Sequence, residues 1–363
     1  MLYACGENRL LLYKGFGEKT QNNIREAIEF YLQHQGSFLY AQIDEVLPQV
    51  KIYLEKTFAP HSVLVTGAFR RQEPVIEELE FVINASNDVI KPKFQTAQPP
   101  ELLEEKEDCL LYKLKNGLRL RIYSGKQPSA ERLFLTTGSA EFIDSFKKAF
   151  PKIDFKKIKD ENDDKDIFTQ AGIPFIPPCM RESPAVIKLA EKKSLPVLIE
   201  TNDIKSIIHS HSNWSDGVNT IEEMANECIR RGMEYLVISD HSKAAAYANG
   251  LSEERIKEQH RYIDSLNEKL TPFRIFKSIE CDILGDGTMD YSDNVLSTFD
   301  LVIASVHSNL KMTEEKAMSR LLKAISNPYV NILGHMTGRL LLSRGGYPVD
   351  HKKSSRIAQP TMW

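Results

Sequence analysis

The chain has 363 residues, which exceeds one average domain and sets an expectation of two or three. A hydrophobic content of 42% with 27% charged residues excludes wholesale disorder, and no apolar run approaches the roughly 20 residues of a membrane-spanning helix, so no membrane association is expected. The net charge of -3 neither requires nor excludes nucleic acid, because a basic stripe can be local; five scattered cysteines without a Cys-x-x-Cys pair, and an opening segment with no leader pattern, point to a reduced, cytoplasmic protein.

Residues 1–60 read as a helical region. Ile24, Ala27, Ile28 and Tyr31, and then Ile43, Val46, Leu47, Val50 and Leu54, recur at helical spacing. Ahead of the first of these runs stand Gly15-Phe16-Gly17, Lys19 and Thr20. Two glycines around one apolar residue allow a tight turn whose amides can hold a phosphate, although a plain turn between helices reads the same way. Residues 61–150 alternate short apolar segments with turns, SVLVTGA, LEFVINA, CLLYKLKNGLRLRIYS and LFLTTGS, which read as strands of a small sheet. Residues 151–202, rich in Lys, Asp and Pro, read as an irregular connector. From 203 to 363 the pattern changes. Strands are expected near 206–209, 235–239, 274–280, 300–306 and 330–334, with helices after Thr220, Ser252 and Thr313, so a mainly parallel sheet or barrel is expected.

In this last region ligand-type residues fall at the C-terminal ends of the expected strands: His209 and His211 with Asp216 close behind, His241, Glu280, His307 and His335. In a parallel barrel that rim is where active sites form. Residues 209 and 211 on one strand would point to the same face and could share an ion. A lone histidine at a strand end reads as a buried polar residue, whereas five strands each ending in a ligand type read as a site for Zn, Mn or Fe. Seven such residues exceed one four-coordinate site, so two or three ions are expected. His260 and His351 read as surface residues, and His34 and His61 have no ligand partners nearby in sequence.

HSHSNWSDG, YLVISDHSK, GLSEERI, IECDILGDGTMDY, DLVIASVHSNL and NPYVNILGHMTGRLL together resemble the PHP (polymerase and histidinol phosphatase) domain, in the version found at the C-terminus of bacterial X-family DNA polymerases. That resemblance implies a distorted (β/α)7 barrel with three divalent ions, Mn or Zn, and 3′–5′ exonuclease or related phosphoesterase chemistry. It implies one ion on His209, His211 and Glu280, a second on Asp216 and His241, and a third on Glu280, His307 and His335. The family's closing Asp-x-His has no counterpart after His335; Asp350 and His351 are adjacent in YPVDHKK. An incomplete barrel, fewer than three tightly held ions and low or absent nuclease activity are therefore expected.

VTGAFRRQEPVIEELEFVI resembles the palm of the same polymerases, with Gly67, Arg70 and the carboxylates Glu78 and Glu80 at the motif positions. Alternate carboxylates on one strand can share two Mg²⁺ ions for nucleotidyl transfer, but glutamate is a methylene longer than the family's aspartate. Arg119 or Arg121 occupies the place of the third carboxylate. Gly138 and Ser139 follow Thr137 in a turn similar to the family's nucleotide-side turn, and Gly15, Gly17, Lys19 and Thr20 are similar to its DNA-binding hairpin. The resemblance spans about residues 8–350. It implies an α/β multidomain relative, incomplete at both ends, with a helix–hairpin–helix region, a nucleotidyltransferase-like α+β palm that has lost polymerisation, a linker and an incomplete PHP barrel. Its partner would be DNA with gaps or single-stranded 3′ ends, in DNA repair. The alternatives are a non-catalytic protein that binds gapped DNA and a phosphatase of the histidinol-phosphate type.

Overall fold

The structure is a computed structural model and describes residues 1–95, 98–125, 129–154, 158 and 163–357. The chain divides into two compact units, Met1–Val197 with Leu341–Arg344, and Leu198–Leu340 with Gly345–Trp363. Among the described residues no helix is long and apolar enough to cross a membrane.

The first unit opens with helices Leu2–Gly6, Glu18–Gln33 and Tyr40–Phe58. Strand β1 (Phe38–Leu39) precedes the third of these, and β2 (Val63–Thr66), β3 (Val75–Ile76), β4 (Glu78–Ile83), β5 (Glu101–Lys106), β6 (Cys109–Lys113) and β7 (Arg119–Tyr123) follow. β1 pairs with β3, and the other five form one sheet in the order β2-β4-β7-β6-β5, in which only β4 and β7 run parallel. Alternation does the sorting. Leu79, Phe81 and Ile83 of β4 and Leu120 and Ile122 of β7 pack with Ile43, Leu54 and Phe58 of the long helix. Glu78 and Glu80 consequently share the other face of β4.

Two sequence expectations are corrected here. LFLTT is not a strand; it lies in helix Ser129–Thr137, where Ala130, Leu133, Phe134 and Thr137 are buried at spacings of three, one and three. That is a helical stripe, and its β-branched and aromatic residues disguise it. The expected irregular connector contains helices Lys165–Ala171 and Ala185–Glu191. Ile167, Phe168, Ile176, Val186, Ile187 and Ala190 from this segment join Phe134, Phe142 and Phe146 in one core. Pro174, Pro177, Pro178 and Pro184 stand between these helices and Pro196 follows the second; Pro184 immediately precedes a helix, where a missing N–H costs little.

The second unit carries five parallel strands, β8 (Ser206–Ser210), β9 (Tyr235–His241), β10 (Arg274–Asp282), β11 (Leu301–Ser305) and β12 (Ile332–Leu333), ordered β12-β11-β10-β9-β8. Helices Ile221–Arg230, Glu253–Leu270 and Glu314–Ile325 start where expected. Thr220, Ser252 and Thr313 each accept a hydrogen bond from a first-turn amide, at 3.2, 3.3 and 3.4 Å. The sheet curls. His209 of edge strand β8 and His335, just beyond the opposite edge strand β12, bring their rings within 6.0 Å. A Cβ on Gly334 would meet Ser305 Oγ at 2.3 Å and His209 Cε1 at 3.3 Å, so this approach requires glycine.

Candidate metal centre and the palm-like carboxylates

Glu280 lies on the central strand β10, directly opposite His241 of β9, and is 1% exposed. Five imidazoles converge on its carboxylate. Oε1 is 2.9 Å from His209 Nε2, 2.9 Å from His335 Nε2 and 3.2 Å from His307 Nε2. Oε2 is 3.1 Å from His241 Nδ1 and 3.5 Å from His211 Nε2. Burial alone would raise the acid, but bonds from His209, His307 and His335 hold it far below the ordinary carboxylate range. Asp216 stands at the outer side, 3.7 Å from His211 Nδ1 and 3.6 Å from His241 Nε2, with its side chain 46% exposed.

Among the described residues two groups of ligand atoms are close enough to hold an ion, each within a span of 4.8 Å: His209, Glu280 and His335, and His211, His241 and Glu280. This differs from the expected grouping, which placed His209 and His211 on one ion. The reason is local. His209 has a left-handed backbone (φ 62°), and the β8–β9 register shifts between Ile207 and Ser210. The bulge breaks strand alternation, and the two histidines reach opposite oxygens of Glu280. His307 is drawn elsewhere, with Nδ1 against Asp282 Oδ1. Burial lowers His307, but bonds to Asp282 and Glu280 outweigh it and raise the imidazole to about 9. Burial dominates at His241, which is held below its usual range.

The donor set fits divalent cations of the Mn or Zn type. Imidazole and carboxylate are the ligands these ions take, and the Nδ1 atoms of His211 and His241 are buried without a hydrogen bond. Two carboxylates that organise the centre were missed in the sequence. Asp282 orients His307. Asp240 is fully buried and accepts from Ser212 N (2.8 Å), Ser212 Oγ (2.7 Å), Ser215 Oγ (2.5 Å) and Gln259 Nε2 (2.6 Å). It thereby ties the loop that carries His211 and Asp216 to helix Glu253–Leu270. An acid inside the apolar run YLVISDH was the available signal.

The palm-like carboxylates have different partners. In the β4–β7 register Glu78 faces Arg119 and Glu80 faces Arg121. Arg121 forks onto Glu78, with Nη2 3.2 Å from Oε1 and Nε closer still to Oε2. Arg119 reaches Glu77 at 3.2 Å and Glu78 at 3.6 Å. Glu80 accepts from Tyr123 Oη (2.8 Å) and from the amide of Ala68 (3.1 Å), and burial raises its acid. A Cβ on Gly67 (φ 66°) would overlap Glu80, so the glycine lets the backbone close over this carboxylate.

Residues 208–355 match the PHP domain family. Along 99% of its length the chain is 30% identical to the DNA polymerase/3′-5′ exonuclease PolX of Bacillus subtilis, of which it spans 65%. The chain is similar to an X-family DNA polymerase along nearly its whole length, and its second unit matches the PHP domain. Further relatives match a smaller share of the chain. One is a probable phosphatase of Caldanaerobacter subterraneus subsp. tengcongensis, 30% identical over 42% of this chain and 57% of that protein. Another, of Thermoanaerobacter sp., is 29% identical over 40% of this chain and 56% of that protein.

The remaining palm-like positions are engaged internally. Arg70, expected on the nucleotide side, donates to Thr137 Oγ1 (2.7 Å) and to both oxygens of buried Asp164 (2.9 and 3.1 Å), which also binds Arg181. A Cβ on Gly138 would meet Phe142 at 2.6 Å. Ser139 caps helix Ala140–Ala149, accepting from Phe142 N (3.1 Å) and donating to Glu182 O (2.6 Å). The hairpin residues differ, since Gly15 (φ 95°), Gly17, Lys19 and Thr20 are all exposed. His260, expected at the surface, is half-buried edge-on to Phe299, and burial brings it down to about 4. His351 is exposed as expected.

Proposed function

We propose that the PHP unit is a divalent-metal-dependent phosphoesterase that shortens DNA from gapped or single-stranded 3′ ends, and that the palm keeps its fold without nucleotidyl transfer. The observation that carries this reading is the single buried carboxylate of Glu280 shared between two sets of imidazoles. His209 and His335 would hold one ion with Oε1, and His211 and His241 a second with Oε2. Bound ions supply an ionised water at neutral pH and neutralise charge on the phosphoryl oxygens. The chain's own groups prepare this. Glu280 bridges the two positions, Asp282 aims His307 at the cluster, Asp240 fixes the His211 loop, and half-exposed Asp216 marks the open side where a phosphodiester enters.

At the palm the Arg121 guanidinium lies against Glu78, where two Mg²⁺ ions would need that carboxylate free. The name of the Bacillus subtilis relative, DNA polymerase/3′-5′ exonuclease, supports DNA as the partner. The test is a one-nucleotide-gapped duplex and a labelled single strand, incubated with Mn²⁺ and with or without dNTPs. Shortening from the 3′ end that stops on chelation, with no templated addition, is the expected result. Robust extension would overturn the palm reading, and intact substrate with both ion sites loaded would overturn the hydrolase reading. Exposure of the Gly15–Thr20 turn favours a second reading, a protein that holds gapped DNA without cutting it; binding without shortening is its signature.

A further inference from the structure

One large aromatic side chain stands beside the Glu280 cluster without a packing partner in the core. Tyr247 is 75% exposed, and its ring centroid lies 6.3 Å from that of His241, inclined by 55°. It sits in a single 3-10 turn, Ala246–Ala248, just after β9. The turn is anchored on every side. Ala245 and Ala248 are buried, and the amides of Lys243 and Ala244 donate to Tyr291 Oη (3.0 Å) and Asp290 Oδ2 (2.7 Å). Asn249, left-handed at φ 53°, donates to Trp214 O at 3.2 Å, in the loop that carries Asp216. The backbone is therefore fixed and small alanines flank the ring, which leaves its face open to solvent. On the same segment Lys243 projects an exposed ammonium, 3.9 Å from Glu253. That ammonium, on a residue four before Tyr247 in sequence, lies over the Tyr291 ring, 5.1 Å from its centroid. A fixed, exposed aromatic face with a cation on the same loop is what sequence-tolerant binding of unpaired nucleic acid uses, the ring for a base and the cation for backbone phosphate.

We propose that Tyr247 is the stacking platform for the base of a 3′-terminal nucleotide whose phosphodiester lies at the Glu280 cluster. This rests on the hydrolase reading above and names the residue that would hold the terminal base, which a small phosphate ester lacks. A base on the Tyr247 ring orients the strand end relative to the histidines. The fixed turn means that little ordering is needed when it binds.

The experiment compares the full-length wild type with Tyr247→Ala and Tyr247→Phe in Mn²⁺, on two trinucleotides that differ only in whether the 3′ residue carries a base or is abasic. For the base-bearing substrate, Tyr247→Ala should raise KM about tenfold with kcat little changed, the scale of losing one base–aromatic stack. The abasic substrate should show no such change, and Tyr247→Phe should restore the wild-type KM. Bound-metal content and Tm should be the same in all three proteins, because the ring supports nothing. Equal losses on both substrates, or none on either, would overturn the proposal. If the wild type cleaves neither trinucleotide, it is the hydrolase reading that has failed. Equilibrium binding of the same two trinucleotides then decides on Tyr247: a loss confined to the base-bearing one supports it, and equal affinities overturn it.

Discussion

Two sets of half-buried or buried carboxylates face opposite fates in this molecule. Glu280 is surrounded by neutral-capable imidazoles, five of them, whose nitrogens can turn to a metal when it is offered. Glu78 and Glu80 are met by groups that cannot: the permanently charged guanidinium of Arg121, the hydroxyl of Tyr123 and the amide of Ala68. The difference lies in the partners and not in the acids. A carboxylate paired with imidazole is an open coordination site, whereas one paired with arginine is already neutralised.

The severest way to break this comparison is Glu280→Gln. If one carboxylate organises both ion positions, its loss should reduce metal affinity by more than about 100-fold, beyond the range seen for residues that merely support ligands. Metal analysis after dialysis, alongside Mn²⁺-dependent hydrolysis, would measure it; retention of two ions would show that the histidines suffice.

Asp164 carries the fixed-partner case to its limit, with Arg70 and Arg181 on one fully buried side chain. Asp164→Asn should cost roughly 3–5 kcal/mol in denaturant unfolding, because Arg181 would be left buried without its counter-charge. The pH dependence has a definite sign. Burial would raise Asp164, but the two guanidiniums prevail and hold it down to about 2, from an ordinary 3.8. A depressed native value stabilises fully above the ordinary one and is lost as pH falls through about 2, a contribution of about 2.5 kcal/mol. An acid titration of unfolding should show this loss in the wild type and not in the asparagine variant.

The comparison can be sharpened by converting one class into the other. In a Glu280→Gln background, changing Glu78 and Glu80 to Asp and Arg121 to Asp removes the guanidinium and shortens the carboxylates. The palm-like sheet should then gain weak Mn²⁺ binding, visible by electron paramagnetic resonance, that the parent lacks. The smallest effect is expected at the hairpin. A Cβ on Gly17 meets nothing within 4 Å, so Gly17→Val should leave Tm unchanged and weaken binding to gapped DNA only a few-fold. The slope of log affinity against log salt should become shallower by roughly 0.9 for each phosphate the hairpin no longer holds. Unchanged affinity would remove the hairpin from the interface.

The candidate metal centre was legible because its residue types repeat with the architecture. Each parallel strand ends on the same rim, so His241, Glu280, His307 and His335 announce themselves by position. The pairing of ligands was not legible, because strand periodicity cannot foresee a bulge at His209. Asp240 and Asp282 were overlooked since they act through other residues, and only three-dimensional proximity reveals that. In the first unit, local composition misled. Phe134, Thr136 and Thr137 lend the LFLTT end of helix Ser129–Thr137 a strand-like look, and the prolines between 174 and 184 hid helices that they merely separate. That Arg70 is bound to an acid 94 positions away could not be read from its motif.

The bulge at His209 has a consequence outside chemistry. Among the described residues β8 has one strand neighbour, β9, and Ile207 and Ile208 are 38% and 43% exposed on it. A straight apolar edge of this kind is a template on which chains zip together and precipitate. The left-handed turn at residue 209 kinks the strand before such a ladder could extend past it. The distortion that divides two histidines between the oxygens of Glu280 therefore also guards solubility, and flattening it by design would expose the protein to edge-to-edge aggregation.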